Sequence, residues 1–104
     1  MMTFHKVAKI GEIEIGSMKD VAIAHQHLVI AHTNTGYFAV VDECSHDSAP
    51  ISDGEVDGDE VVCVRHGARF DLKTGAVTGP PAIVPIDSYP IKIDGNDILV
   101  GLED

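Results

Sequence analysis

Residues 44–66 read CSHDSAPISDGEVDGDEVVCVRH, a stretch bounded by Cys44-x-His46 and, after a gap of sixteen residues, Cys63-x-x-His66. Each cysteine lies two or three residues from a histidine, which is ligand spacing rather than crosslink spacing. The chain has only these two cysteines, too few for a disulfide scaffold. Cys44-Ser45-His46-Asp47-Ser48-Ala49-Pro50 and His66-Gly67-Ala68-Arg69 are small, polar and turn-like. Such sequences suit loops projecting from a sheet, so a site built on them is expected near the surface.

Outward from the boxes, short β-rich runs alternate with Gly, Asp, Asn and Pro, and helical periodicity is absent. The runs predict strands at Phe4 to Ile10, Ile13 to Ile15, Met18 to His25, Leu28 to Thr33 and Tyr37 to Asp42 before the first cysteine. After it they predict Glu60 to Val64, Ala68 to Leu72, Tyr89 to Ile93 and Asp97 to Leu102. Asn34-Thr35-Gly36, Asp57-Gly58-Asp59 and Asp94-Gly95-Asn96 supply residues that tolerate positive φ and read as hairpin turns. No repeat or linker interrupts the pattern. The expectation is one all-β domain over residues 1–104, an antiparallel sandwich or small barrel with both ligand loops at one end.

With 104 residues there is room for one core and none for a second catalytic domain. No apolar run is long enough for a membrane helix, and the start Met1-Met2-Thr3-Phe4-His5-Lys6 does not resemble a secretory signal, so a cytoplasmic protein is expected. Seventeen acidic residues against seven basic ones give a net charge of −10, which opposes binding to nucleic acid or anionic membranes and favours basic partners.

Two thiolates and two imidazoles suit either one tetrahedral zinc or a two-iron cluster with cysteines on one iron and histidines on the other. Spacing leans toward iron. A Cys-x-His pair closes on one small ion only with loop strain, and the like-with-like grouping of zinc fingers is missing.

From Tyr37 onward the sequence resembles the Rieske-type [2Fe-2S] ferredoxins of multicomponent, ring-hydroxylating oxygenase systems. The two boxes stand at family spacing. Ile51-Ser52-Asp53-Gly54 and Gly58-Asp59 match between them, and His66-Gly67-x-x-Phe70-Asp71 and Thr74-Gly75 match after them. Gly79-Pro80-Pro81-Ala82 falls where the family has a proline-bearing loop covering the cluster, while residues 1–36 match only as generic strands. The resemblance implies one [2Fe-2S] cluster per chain, with Cys44 and Cys63 on the inner iron and His46 and His66 on the outer, exposed one. It also implies a monomeric electron carrier, with no catalysis of its own, that links a flavin-containing NAD(P)H-dependent reductase to a terminal oxygenase. The same domain also resembles small subunits of assimilatory nitrite reductases. From outside the family, a zinc-stabilised binding module is the competing reading.

Respiratory Rieske proteins place hydroxyls in a His-Gly-Ser-x-Tyr segment and add a disulfide. This chain has His66-Gly67-Ala68-Arg69-Phe70 and no further cysteine. Hydrogen bonds to cluster sulfurs stabilise the reduced state, so their absence places the expected potential in the lower part of the Rieske range, about −150 to +300 mV.

Three groups of residues lie outside this core reading. His5, His25, His27 and His32 are read as solvent-facing strand positions rather than a second metal site. Asp42, Glu43, Asp53, Glu55, Asp57, Asp59 and Glu60 form either a docking surface or a solvated acidic edge. Arg65 and Arg69, the only arginines, either brace the second ligand loop against these carboxylates or edge a partner site.

Overall fold

The computed structural model describes residues 1–104 except 45–48, 65, 66, 81, 83 and 104. Among the described residues, eleven strands make three sheets, all with antiparallel pairing. The base sheet has the order β1 (Met2–Lys9), β11 (Asp97–Glu103), β10 (Ile91–Asp94). The middle sheet runs β2 (Met18–Ile23), β3 (Gln26–Thr33), β4 (Gly36–Val41), β9 (Ser88–Tyr89). The upper sheet is a short meander of β5 (Glu55–Asp57), β6 (Glu60–Val62), β7 (Arg69–Asp71) and β8 (Val77–Gly79).

Strand β3 explains how these sheets share a core. Leu28, Val29, Ile30 and Ala31 are all fully buried, so the centre of this strand has no solvent face and reads as a continuous apolar run. Successive side chains of a strand point to opposite faces. Leu28 and Ile30, with Ala39 of β4, pack with Val7, Ala8, Ile13, Ile98, Val100 and Leu102 of the lower core. Val29 and Ala31, with Val40, pack the other way against Ile51, Val61, Phe70 and Leu72 and against both cysteines. The middle sheet is therefore a floor for the ligand loops.

The expected hairpins at Asn34-Thr35-Gly36, Asp57-Gly58-Asp59 and Asp94-Gly95-Asn96 are present, joining Thr33 to Gly36, Asp57 to Glu60 and Asp94 to Asp97. A fourth turn was hidden. The strand expected to reach His25 stops at Ile23, because Ala24 (φ 50°) and His25 (φ 67°) form a two-residue reversal with both central residues left-handed. That conformation fits the right-handed twist of a hairpin, although Asn and Gly favour it and Ala does not.

The strand expected at Ile13 to Ile15 is also absent. Ile13 instead plugs the lower core from a loop, and its carbonyl accepts a hydrogen bond from His32 Nδ1 at 2.7 Å. His32, half-buried and stacked on Tyr37 with ring centroids 4.0 Å apart, is thus a brace and not a solvent-facing residue. Strands β5 and β8, three residues each, carry too little periodicity to be read from sequence.

Asp59 ties the upper sheet to the middle one. Its Oδ1 accepts hydrogen bonds from the hydroxyls of Thr33 and Thr35, both at 2.7 Å, and its carbonyl accepts from the Leu72 amide at 2.9 Å. The two hydroxyls, Thr33 first, hold the Asp59 carboxyl below its ordinary pKa despite some opposing desolvation. A depressed folded-state value contributes stability that is complete above the unfolded pKa and disappears as pH falls through the folded one. The difference in thermal midpoint between wild type and Asp59→Ala should therefore hold steady from neutral pH down to the ordinary carboxylate range and shrink below it. Circular dichroism melts across that range check this, and a difference that ignores pH would show that the ionised carboxylate is not what the threonines bind.

Candidate metal centre

Both cysteines stand at the start of loops closed in the same way. The Cys44 amide donates to the Ala49 carbonyl at 2.8 Å, and the Cys63 amide donates to the Ala68 carbonyl at 2.7 Å. Each bond joins a cysteine to the residue five positions on. In the second loop Gly67 (φ 73°) makes the reversal possible and donates to the Cys63 carbonyl at 3.1 Å.

The first loop is fastened once more at its neck. Asp42 Oδ1 accepts from the Ser52 amide at 2.8 Å and Oδ2 from the Ser52 hydroxyl at 2.9 Å. Ser52 lies in a 3-10 turn, Ile51–Asp53, which follows Pro50 (φ −63°). Beyond it, Gly54 passes so close to β6 that a Cβ would collide with the Val62 carbonyl oxygen. That contact brings the connection between the boxes to the residue just before Cys63.

Cys44 and Cys63 are each 1% exposed and belong to one buried cluster, as thiols rather than halves of a disulfide. They sit deeper than the surface loops expected from sequence, although the neighbouring Val64 is 58% exposed. Three segments each contribute one buried alanine to the same cluster: Ala49, Ala68 and Ala82. Two buried thiols walled by the smallest apolar side chains fit a metal–sulfur group, which needs soft ligands and room. His46 and His66 lie outside the described residues, as does Arg65.

The remaining polar candidates separate into two sets. Asp42 and Asp59 are occupied by the hydrogen bonds above. Asp57 and Glu60 bind one guanidinium, with Arg69 Nη1 2.9 Å from Asp57 and 3.0 Å from Glu60. Glu43, Asp53 and Glu55 are exposed, and Asp53 and Glu55 border a shallow cavity lined also by Gly54, Val62, Cys63, Val64 and Gly67. His25 and His27 are exposed and, with His25 in a turn, do not share the strand face expected of them. No group of three His, Cys, Asp or Glu converges among the described residues.

Residues 3–90 match the Rieske [2Fe-2S] domain family. The chain belongs to that family. A Rieske domain holds one [2Fe-2S] cluster, and the reading of a zinc-stabilised module falls away. The biphenyl dioxygenase ferredoxin subunit of Pseudomonas sp. strain KKS102 is 37% identical over 100 residues, covering 95% of this chain and 92% of that one. The ferredoxin of carbazole 1,9a-dioxygenase from Nocardioides aromaticivorans IC177 superposes with a TM-score of 0.90 at 28% identity, covering 94% of this chain and 96% of that one. A further structure, a complex of reduced oxygenase and oxidized ferredoxin in carbazole 1,9a-dioxygenase, contains a chain matched with a TM-score of 0.88 at 26% identity, covering 92% of this chain and 99% of that one. This Rieske protein is thus a ferredoxin of the dioxygenase type, an electron carrier rather than a catalyst.

Among its site-forming contacts, the Asp42–Ser52 clamp was invisible in the sequence, because any of several nearby carboxylates could have met that serine. Removing it in Asp42→Ala should cost roughly 1.5–3 kcal/mol, the range for hydrogen bonds to a charged group. Denaturant titration of the holoprotein measures the loss, and Asp42→Asn, which keeps one acceptor, should lose less.

Proposed function

We propose that this ferredoxin takes single electrons from a flavin-containing, NAD(P)H-dependent reductase and passes them to a terminal oxygenase. The cluster it uses is held by Cys44, His46, Cys63 and His66. One observation carries the ligand reading: both cysteines are buried in the same core at the heads of two loops closed by the same hydrogen bond. The complex of oxygenase and ferredoxin among its structural relatives supports the partner.

When bound, the [2Fe-2S] group supplies a one-electron couple whose potential is raised by its two neutral imidazole ligands. The chain's own residues do the rest. Cys44 and Cys63 would hold the inner iron away from water, and His46 and His66 the outer iron toward the partner. Glu43, Asp53 and Glu55, exposed around the ligand loops, favour approach by a basic partner surface, an attraction that salt weakens. No described helix is long and apolar enough to cross a membrane. We assign one domain over residues 1–104, acting as a cytoplasmic monomer without affinity for nucleic acid, in line with the net charge of −10.

Ala68 and Phe70 are fully buried in the ligand core, and neither carries a hydroxyl that can bond a sulfur. This supports a potential in the lower part of the Rieske range. The primary test is iron and acid-labile sulfide content with an electron paramagnetic resonance spectrum. Equal iron and sulfide, silent when oxidised and giving a Rieske-type signal when reduced, is expected, whereas zinc without sulfide refutes the assignment. Protein-film voltammetry of Ala68→Ser and Phe70→Tyr should show upward shifts, because a hydroxyl hydrogen-bonded to a cluster or cysteine sulfur stabilises the more negative reduced state.

A further inference from the structure

Arg69 joins three pieces of the site. Its backbone pairs with Val62, the residue before Cys63, and it comes directly after Ala68, whose carbonyl closes the second loop. Its guanidinium, on a side chain 38% exposed, binds Asp57 and Glu60 and so fixes the arginine stem along the β5–β6 hairpin. The stem in turn lies against Gly79. A Cβ at position 79 would come within 3.1 Å of Arg69 Cβ, 3.3 Å of Cγ and 3.4 Å of Cδ, so a side chain there fits only if the arginine stem or the strand gives way by a few tenths of an ångström.

The pairing of β7 with β8 is irregular at that point. Arg69 faces Gly79 and Phe70 faces Val77, which leaves Thr78 as an extra residue. Such a bulge bends its strand and redirects the chain beyond it. Here the redirected chain leads to Ala82 and Ile86, both buried with Cys44 and Cys63. Its far end is already anchored, since the Ile86 amide donates to the Gly75 carbonyl at 2.9 Å and Gly75 leaves no space for a Cβ beside Ile86. The near end has the bulge and the arginine stem.

We propose that Arg69 is a positioning residue for the electron-transfer site, its clamped stem against Gly79 holding the end of β8 so that Ala82 and Ile86 pack into the core shared with Cys44 and Cys63. This inference rests on the ligand reading above. A side chain at position 79 lifts the near end, admits water to the core around the cysteines and loosens the hold on iron. Water also solvates the more negative reduced state, which raises the potential.

The test is iron release to a chelator, together with the potential, in holoprotein of wild type, Gly79→Ala, Arg69→Ala and the double variant. Gly79→Ala should release iron several-fold faster and show a higher potential. With Cγ and Cδ gone in Arg69→Ala, adding the methyl at 79 should have a smaller effect than in the wild-type background. Wild-type release and potential in Gly79→Ala, or strictly additive effects in the double variant, would overturn the proposal. If Gly79→Ala does not fold, Arg69→Lys keeps the stem and charge but not the fork. It should release iron at an intermediate rate, and a wild-type rate would count against the clamp. Wild-type protein without iron and sulfide would instead remove the ligand reading itself, a result distinct from any of these.

Discussion

The central stretch of β3, with no solvent side, sets the terms for everything above and below it. Leu28, Val29, Ile30 and Ala31 must each be covered, and a strand's period of two sends alternate residues to opposite layers. Full coverage therefore requires two cores. The base sheet supplies one cover through Ile98, Val100 and Leu102. The other comes from the ligand-bearing meander, whose own strands, three residues each, are too short to form an independent sheet. Folding of the site is thus coupled to burial of Val29, Ala31 and Val40, and the cysteines are part of the hydrophobic cover.

Polar groups then fix orientation where apolar packing cannot. Apolar contact is non-directional, so a small meander resting on a flat floor is free to slide. Asp59 against Thr33 and Thr35, and Asp42 against Ser52, are directional bonds at two separate points, and two points define an orientation. Asp42 and Asp59, two of the carboxylates that the sequence left as either a docking surface or a solvated acidic edge, have this internal role. Among the described members of that group, Glu43, Asp53 and Glu55 are exposed and lie outside these bonds and the Arg69 ion pairs.

What was legible in the sequence came from strong local signals. The ligand boxes, the long strands and the hairpins at Thr35-Gly36, Gly58 and Gly95 all carry residue types that few other structures would need. What was hidden depended on distant partners. Ala24-His25 turns because Ile23 and Gln26 pair, against the preference of alanine. Ile13 looked like a strand residue because a core plug and a strand use the same side chain. Asp59 and Arg69 were visible as charges, but nothing local says that one meets two threonines and the other two carboxylates. His32 likewise takes its role from Ile13 and Tyr37, nineteen and five residues away.

The close pass of Gly54 against the Val62 carbonyl bears on how such a site can be moved or varied. The sixteen-residue spacing between the boxes looks like a property of the metal, yet the backbone between them is gauged against its own neighbouring strand. Lengthening the segment from Gly54 to Val62 would displace that crossing before it disturbed any ligand. A transplant of the two boxes alone into a foreign scaffold would leave behind the gauge, the clamp at Asp42 and the floor at Val29 and Val40. The smallest portable unit is therefore set by architecture, and it is much larger than the motif by which the site is recognised.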